Sequence, residues 1–352
     1  MIISRTPYRI SFLGGGTDYP GWYLKHGGQV LSTTIDKYLH IFCRYLPPFF
    51  EHRLRLVYSV LEACQHSSEL DHPSAREVLK FLDLDNGLEI HYDGDLPGRS
   101  GLGSSSSFTV GLLNALYAYQ DQTVSNHRLS IESIHIEQDL IKETVGSQDQ
   151  VNAAYGGLNR ICFRQSGEII VDPITIPKER LEALDQNLML FYTGIMRTAE
   201  KVAKSYVEGI QAKKKQLVRI RAMVGEAVEI MMNGNLDDFG LLLNKTWQEK
   251  RSLSKLVSNS QVDEIYASAI SSGALGGKLS GAGGGGFLLL YVPVEKQSDV
   301  KQKLSHLLHV PFSFEPTGSQ IIFYDRHREY KEEERAYAEN PHLSFVELKD
   351  MK

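Results

Sequence analysis

The pattern of apolar and polar positions predicts strands interleaved with helices in the first half of the chain. Short runs rich in branched or aromatic residues, bounded by Gly, Pro or Asp, are typical of strands, and apolar residues at helical spacing predict helices. The predicted strands are 9–13, 38–45, 54–58, 88–92, 158–163 and 168–171, and the predicted helices are 108–119 and 129–143. We assign these elements to a first domain, residues 1–184.

The second half is richer in helix and is assigned to a second domain, residues 185–352. A helical region over 198–255, broken near Asn233, predicts a pair of helices. The other predicted elements are the strands 188–192, 287–292 and 320–324 and the helices 261–271 and 295–308. Their βαβ-like order predicts a compact α+β layer, and the charged segment KEEERAYAE near the end predicts a solvated helix face.

Composition excludes several classes of protein. The 352 residues, 42% hydrophobic and 23% charged, are enough for a substantial core in two domains. A formal net charge of −5 gives no general attraction to nucleic acid, so an anion must be held by a local set of donors. The sequence shows no apolar stretch long enough for a signal peptide or a membrane span. We therefore expect a cytoplasmic protein with neither a nucleic-acid nor a membrane partner; a homodimer is compatible with the sequence.

The cysteines predict no metal site. Cys43, Cys64 and Cys162 are widely spaced, and no CxxC pair is present. This usage suits buried thiols in a reducing compartment, without a zinc site or a disulfide framework.

Three glycine-rich segments give the main chemical signal. They read RISFLGGGTDY over 9–19, LPGRSGLGSSSS over 96–107 and KLSGAGGGG over 278–286, and the acids Glu137 and Asp149 lie between the second and the third. Glycine clusters let a backbone approach phosphate oxygens, and serines that open a helix supply amide and hydroxyl donors. The pattern predicts a site for a nucleotide and a small hydroxylated acceptor.

The second segment precedes a predicted helix. Pro97 stiffens its entry, Gly101 and Gly103 permit a positive φ, and the serine run begins the helix whose positive end would face a polyphosphate. A simple helix cap is the alternative for such a string taken alone. No GxxxxGK[ST] loop is present.

The first and third segments each allow two interpretations. Arg9 and Asp18 flank a strand and a glycine turn, either as a surface salt bridge or with Asp18 binding sugar hydroxyls and Arg9 steering a phosphoryl group. The third segment is either a flexible linker or, because an apolar strand follows directly, a tight turn packed against a ligand or the first segment.

The order of these motifs resembles that of the GHMP kinase superfamily, which includes galactokinase, homoserine kinase and the mevalonate and phosphomevalonate kinases. Its PxxxGLGSSAA motif is matched by Pro97, Gly101, Leu102, Gly103, Ser104 and Ser105, with Ser106 and Ser107 replacing the alanines. Its C-terminal motif is matched by Lys278, Gly281, Ala282, Gly283, Gly285 and Gly286, and its GxxDQ segment by Gly146, Asp149 and Gln150. The resemblance implies an α+β fold of two domains, the first like ribosomal protein S5 domain 2 and the second ferredoxin-like, with ATP and Mg²⁺ as cofactors.

The resemblance also implies roles for single residues. Asp149 would be the catalytic base, and Glu137 with Ser105 would hold Mg²⁺. Arg9 would stabilise charge on the transferred group and keep Asp149 ionised. Residues expected to bind the nucleotide are Pro97, Gly101, Leu102, Gly103, Ser104, Ser105 and Ser106, and those expected to bind the acceptor are Gly15, Gly16, Thr17, Asp18, Gly281, Ala282 and Gly283. Alternatives are an exposed helical carboxylate for Glu137 and a helix N-cap for Asp149.

The acceptor is predicted from a departure from galactokinase, which has a glutamate and a histidine where this chain has Gly15 and Gly16. The GGGTD and GSQDQ segments resemble those of D-glycero-D-manno-heptose 7-phosphate kinases, which phosphorylate the anomeric oxygen on the route to GDP-heptose. Kinases of L-fucose share much of the pattern, and a catalytically silent sugar or nucleotide sensor is a third hypothesis, which the intact set of Arg9, Ser105, Glu137 and Asp149 disfavours.

A 7-phosphate on the acceptor would need a cation away from the reaction centre. Arg197 is the candidate, with Lys201 as a weaker one, and an ordinary basic helix start on the surface is the alternative for both.

Overall fold

Two β-sheets with helices packed on them form the fold of the chain in a computed structural model, which describes residues 1–98, 100–195, 199–325 and 330–339. Within these residues the first sheet has nine strands and the second has four. The strands are β1 (Ile2–Leu13), β2 (Gly28–Tyr45), β3 (Leu54–Val57), β4 (Leu61–Cys64), β5 (Leu88–Gly94), β6 (Asn159–Phe163), β7 (Ile169–Pro173), β8 (Leu188–Tyr192), β9 (Gly276–Leu279), β10 (Phe287–Tyr291), β11 (Leu308–Val310), β12 (Phe314–Glu315) and β13 (Gln320–Tyr324). This confirms the predicted α+β class.

The helices cover the sheets and position the loops of the site. They are α1 (Pro20–His26), α2 (Pro73–Phe81), α3 (Ser104–Tyr119), α4 (Asn126–His135), α5 (Gln148–Tyr155), α6 (Lys178–Gln186), α7 (Ala199–Val207), α8 (Lys214–Asn233), α9 (Leu236–Arg251), α10 (Ser260–Ser271), α11 (Gln297–Lys303) and α12 (Lys331–Glu339). None of the helices in the described ranges is long and apolar enough to cross a bilayer.

The antiparallel pair β1 and β2 forms the centre of the first sheet, whose main strand order is β13-β1-β2-β5-β3-β4. The predicted strands 9–13 and 38–45 are confirmed, but each is only the end of a longer strand. The missed part of β1 contains buried polar residues such as Ser4, whose hydroxyl donates to Gly111 O at 2.8 Å. Such residues interrupt the apolar pattern from which a buried strand is predicted.

Helix α3 begins at Ser104, so the serine run does open a helix as predicted. Every residue of α3 from Ser106 to Tyr117 is buried. The helix packs against β1, β2, α4 and α5, and its N-terminus is therefore fixed by the core.

The helix predicted over 129–143 is different in the structure. Helix α4 ends at His135 and continues as a π-helical turn, Ile136–Leu140, in which Ile141 N donates to Ile136 O at 2.9 Å.

The helix predicted over 295–308 is also shorter, because α11 ends at Lys303 and Leu308 begins β11.

The end of the chain returns to the first sheet. Gln320–Tyr324 is a strand as predicted, yet β13 pairs with β1, and β12 pairs with β2. The second sheet, in the order β11-β8-β10-β9, therefore contains only strands that lie between Leu188 and Val310. The division between domains at 184/185 stays a prediction. Strands β12 and β13 belong to the first sheet and not to the α+β layer predicted for the second domain.

The three cysteines are free thiols. Cys43 is buried, as expected, whereas Cys64 and Cys162 are partly exposed, so the expectation of buried thiols is wrong for these two.

Candidate active site

Arg9 joins three elements at the centre of the site. Its side chain is buried in β1, its Nε donates to Asp149 Oδ1 at 2.7 Å, and a terminal nitrogen donates to Asp149 Oδ2 at 2.5 Å. The other terminal nitrogen donates to Gly101 O at 2.7 Å, and the Arg9 amide donates to Leu102 O at 3.0 Å. The interpretation of Arg9 and Asp18 as a surface salt bridge is wrong, because both are buried and the partner of Arg9 is Asp149.

Three consecutive residues at the start of α5 each hold one acidic or basic group of the site. Gln148 Nε2 donates to Asp18 Oδ2 at 2.9 Å, Asp149 pairs with Arg9, and Gln150 Nε2 donates to Glu137 Oε2 at 2.5 Å. The N-cap of α5 is the preceding serine, so the alternative of Asp149 as a helix N-cap is wrong. The first turn of α5 therefore fixes the position of Asp149, the candidate base, relative to Glu137, the candidate metal ligand.

Asp18 is a buried carboxylate beside the acceptor segment. Gly16 N donates to its Oδ1 at 2.9 Å. Burial, and then the charge of Asp149, raises the pKa of Asp18. Gly146 passes so close that a Cβ there would lie 1.9 Å from Asp18 Oδ2, which explains the glycine of the GSQDQ segment.

Glu137 lies in the π-helical turn and is fully buried, so the alternative of an exposed helical carboxylate is wrong. The hydroxyl of Ser106 donates to Glu137 Oε2 at 2.9 Å, whereas Oε1 has no hydrogen-bond partner in the described part of the chain. Burial raises the pKa of Glu137 to about 7. The serine that reaches Glu137 is therefore Ser106, while Ser105, for which the resemblance implied the metal-binding role, is exposed on the neighbouring face of α3.

The second and third glycine segments pack directly against each other. Gly101 has φ +87°, and a Cβ on it would lie 2.7 Å from Ser280 O. A Cβ on Gly281 would lie 2.7 Å from the Cα of Gly101, and Phe287 N donates to Ser100 O at 3.2 Å. The third segment is a tight turn, as one interpretation had it, but the glycines at its two ends, Gly281 and Gly286, pack against the second segment and not the first.

Most of the predicted residues surround one small cavity of about 120 Å³. Those that line it are Arg9, Gly15, Gly16, Asp18, Gly101, Gly103, Ser104, Ser105, Asp149, Gly281 and Ala282. The structure thus brings all three glycine segments and the candidate base to one place.

A larger cavity of about 760 Å³ lies on the other side of the start of α3. Its lining includes the aromatic side chains of Tyr58, Tyr92 and Phe108, and the rings of Tyr58 and Tyr92 stack with centroids 5.4 Å apart. Ser104 and Ser105 line both cavities. The N-terminus of α3, where backbone amides are free and the helix dipole is positive, therefore lies between the two.

Other predicted residues do not line the small cavity. The hydroxyl of Thr17 donates to Gly14 O and to Gln29 O, each at 2.8 Å, and so supports the turn. Leu102 belongs to the core, Gly283 packs against Val257, and Pro97 is exposed on its loop. Arg197 lies outside the described residues, and Lys201 is exposed away from both cavities.

Two lysines are buried near the site, of which Lys250 was missed in the sequence and Lys278 was named only as part of the C-terminal motif, without a role. Lys250, in the last turn of α9, lines the small cavity and donates from Nζ to Gly281 O. Lys278 donates from Nζ to Ser11 O at 2.5 Å and to Phe12 O at 3.2 Å. Burial lowers the pKa of Lys250 to about 8 and also lowers that of Lys278.

A signal for Lys250 was available in the pattern of α9. Lys250 follows the buried Thr246 and Trp247 at helical spacing, so it occupies the apolar face of the helix. A lysine on an apolar face marks a buried charge that needs an explanation.

Comparison with known families gives two matches along the chain. Residues 56–157 match the family of GHMP kinases N terminal domains, and residues 226–309 match that of GHMP kinases C terminal domains.

Individual relatives span nearly the whole chain. A D-glycero-alpha-D-manno-heptose 7-phosphate kinase of Campylobacter jejuni is 29% identical over 336 residues, which cover 90% of this chain and 97% of that protein. A bifunctional fucokinase/GDP-fucose pyrophosphorylase of Arabidopsis thaliana is 27% identical over 85% of this chain, which spans 30% of that protein. The crystal structure of a D-glycero-D-manno-heptose 1-phosphate kinase from Bacteroides thetaiotaomicron, 21% identical, superposes with a TM-score of 0.76 over 93% of this chain and all of that one.

Proposed function

Because the chain belongs to the GHMP kinases and is an ATP-dependent sugar kinase, we propose that it phosphorylates the anomeric hydroxyl of D-glycero-D-manno-heptose 7-phosphate. The product would be the 1,7-bisphosphate, a precursor on the route to GDP-heptose. The 29% identical heptose 7-phosphate kinase, aligned over nearly its whole length, supports this acceptor.

The observation that best supports the reaction is the position of the α3 N-terminus between two cavities. The large cavity offers aromatic side chains for a nucleotide base, and the small cavity offers polar groups for a sugar. Ser104 and Ser105 line both, so a γ-phosphoryl group bound at the helix N-terminus would lie between donor and acceptor.

Asp149 is the proposed proton acceptor. In the reaction the anomeric oxygen forms a bond to the γ-phosphorus, the bond between this phosphorus and the bridging oxygen of ADP breaks, and the hydroxyl proton passes to Asp149. The side chain of Asp149 is 26% exposed and lines the small cavity, so an acceptor can reach it. Arg9, held against Asp149, adds positive charge where negative charge develops on the transferred group.

The residues around Glu137 fit a magnesium ion. Glu137 Oε1 is a buried carboxylate oxygen without a hydrogen bond from the described residues, and the hydroxyl of Ser106 lies beside Oε2. The described ranges contain no group of three or more His, Cys, Asp or Glu side chains that could hold a metal by themselves. One buried carboxylate with a neighbouring hydroxyl suits Mg²⁺, which takes one or two protein oxygens and completes its shell with phosphate oxygens and water. Glu137, with Ser105 or Ser106, would hold the ion, which would neutralise charge on the β- and γ-phosphates.

An ADP-release assay with a panel of acceptors tests the proposal. D-glycero-D-manno-heptose 7-phosphate should give the highest kcat/KM, compared with L-fucose, galactose and mevalonate. Phosphorus NMR should then show a new resonance coupled to the anomeric proton, because a phosphorus on O1 is three bonds away from that proton. A preference for L-fucose would instead identify L-fucose, the second candidate, as the acceptor. The relative named as a bifunctional fucokinase supports this candidate. Turnover with none of the four would contradict the proposal.

A further inference from the structure

Lys250 is a buried cation that the reaction scheme above does not use. Its side chain is 4% exposed and reaches the small cavity from the last turn of α9, whereas the other charged groups of this cavity come from the first 150 residues. A ligand bound in the cavity would explain why a charge is buried at this position.

In the part of the chain that the structure describes, the ammonium group of Lys250 forms no ion pair. It has three N–H donors, and the bond found for it in the described part of the chain goes from Nζ to the carbonyl of Gly281. No carboxylate of the described residues lies within ion-pair distance of Nζ. A buried charge with one neutral partner costs free energy, and burial accordingly lowers the pKa of Lys250 to about 8.

The two carboxylates of the cavity are bound to other donors. Asp149 is already bound by both of its oxygens to Arg9. The pKa of Asp18 is raised by its burial, and its oxygens accept hydrogen bonds from Gly16 and Gln148. Among the described residues neither carboxylate forms an ion pair with Lys250, so the remaining N–H donors of its ammonium group can bind an anionic ligand in the cavity.

Lys250 and Arg9 are linked through the contact between the second and third glycine segments. Lys250 is bonded to Gly281, Gly281 packs against Gly101, and the carbonyl of Gly101 accepts a hydrogen bond from Arg9. Lys250 and Arg9 therefore flank the junction of the two glycine segments from opposite halves of the chain.

We propose that Lys250 binds phosphate oxygens in the small cavity, as a second cation beside Arg9. This rests on the proposed function, and the phosphate has two possible sources: the γ-phosphoryl group in transfer or the phosphate that the acceptor already bears. An ammonium group suits either, because it acts as a point charge with three donors.

Phosphate binding can be measured without knowing the sugar. The wild-type protein is saturated with ADP and Mg²⁺, which occupies the nucleotide site, and orthophosphate is then titrated by calorimetry. The same titration is made with Lys250→Met, Lys250→Gln and the control Lys245→Gln, whose side chain lies on the same helix but is 65% exposed. We expect both Lys250 variants to bind orthophosphate about 10- to 100-fold more weakly, the usual range for losing a hydrogen bond to a charged group, and Lys245→Gln to bind it as the wild type does.

The glutamine variant separates phosphate binding from a structural role. Gln can still donate to the carbonyl of Gly281 but has no charge, so a lysine that merely tethers the loop would be replaced by Gln without loss. Equal orthophosphate affinity in Lys250→Gln and the wild type would overturn the proposal, and so would an ADP-saturated wild type that does not bind orthophosphate at millimolar concentration. If Lys250→Met does not fold, the comparison of Lys250→Gln with Lys245→Gln still decides.

Kinetics with two kinds of acceptor identify the source of the phosphate. A fall in kcat of Lys250→Gln on phosphorylated and unphosphorylated sugars alike assigns Lys250 to the transferred group. A rise in KM confined to phosphorylated sugars assigns it to the phosphate of the acceptor. If every sugar fails as a substrate of the wild type while orthophosphate binding depends on Lys250, the proposed function is wrong and the role of Lys250 stands.

Discussion

The guanidinium of Arg9 holds both carboxylate oxygens of Asp149, with Nε 2.7 Å from Oδ1 and a terminal nitrogen 2.5 Å from Oδ2. Two parallel charge-assisted hydrogen bonds fix the plane of a carboxylate as well as its position. The same guanidinium donates to the carbonyl of Gly101. The candidate base is therefore held in a fixed position relative to the glycine segment expected to bind phosphate.

Replacing Asp149 with Asn should abolish turnover but keep the fold and nucleotide binding. The amide has nearly the same volume but cannot take up the hydroxyl proton, so we expect kcat to fall by about 10²- to 10⁴-fold. The assay is ADP release in the steady state, with ATP affinity measured separately by calorimetry. Asp139→Asn is the control, because its side chain is 67% exposed and pairs with His135 outside the cavity. Near-normal turnover of Asp149→Asn would remove it from the role of base.

Features of the site that depend on residues close together in the sequence were predicted, and features that depend on contacts between distant segments were not. The start of α3 at Ser104 was predicted, because the glycines and serines before an apolar helix are a local signal. The bond from Gln148 to Asp18 and the buried charge of Lys250 were not predicted, since both depend on which distant segments meet. The same holds for β13, whose sequence indicates a strand but not its partner in the first sheet.

Replacing Glu137 with Gln should raise the magnesium requirement. The variant keeps an oxygen that can accept the bond from Ser106 but loses the negative charge that would attract the cation. The half-saturating concentration of Mg²⁺, titrated at saturating ATP and sugar, should increase, while that of Asp139→Asn, from the same π-helical turn, should not. An unchanged titration of Glu137→Gln would contradict the assignment of Glu137 to the metal.

The raised pKa of Glu137 also predicts a pH dependence of stability in the metal-free protein. Burial moves this pKa from 4.5 to about 7, so between these values the folded protein binds a proton that the unfolded chain has lost. The free energy of unfolding should therefore decrease as the pH rises through this window, by up to about 3 kcal/mol. Glu137→Gln cannot titrate at this position, and urea unfolding at pH 5 and pH 7.5 with chelator present should show it gaining stability relative to the wild type. Parallel profiles for the two proteins would mean that Glu137 ionises normally in the folded state.

Replacing Gly146 with Ala should damage the acceptor side of the site through sterics alone. The added Cβ would lie 1.9 Å from Asp18 Oδ2 and 2.7 Å from its Cγ, so the carboxylate must move and its bond from Gln148 must lengthen or break. Because small displacements in a reaction site are costly, kcat/KM for the sugar should fall by about 10- to 100-fold, with a smaller change in the KM for ATP. Gly225→Ala is the matched control, since a Cβ at that position of α8 meets no atom within 4 Å and alanine favours a helix by about 1 kcal/mol. A Gly146→Ala variant that phosphorylates the sugar as the wild type does would show that the position of Asp18 is not needed for acceptor binding.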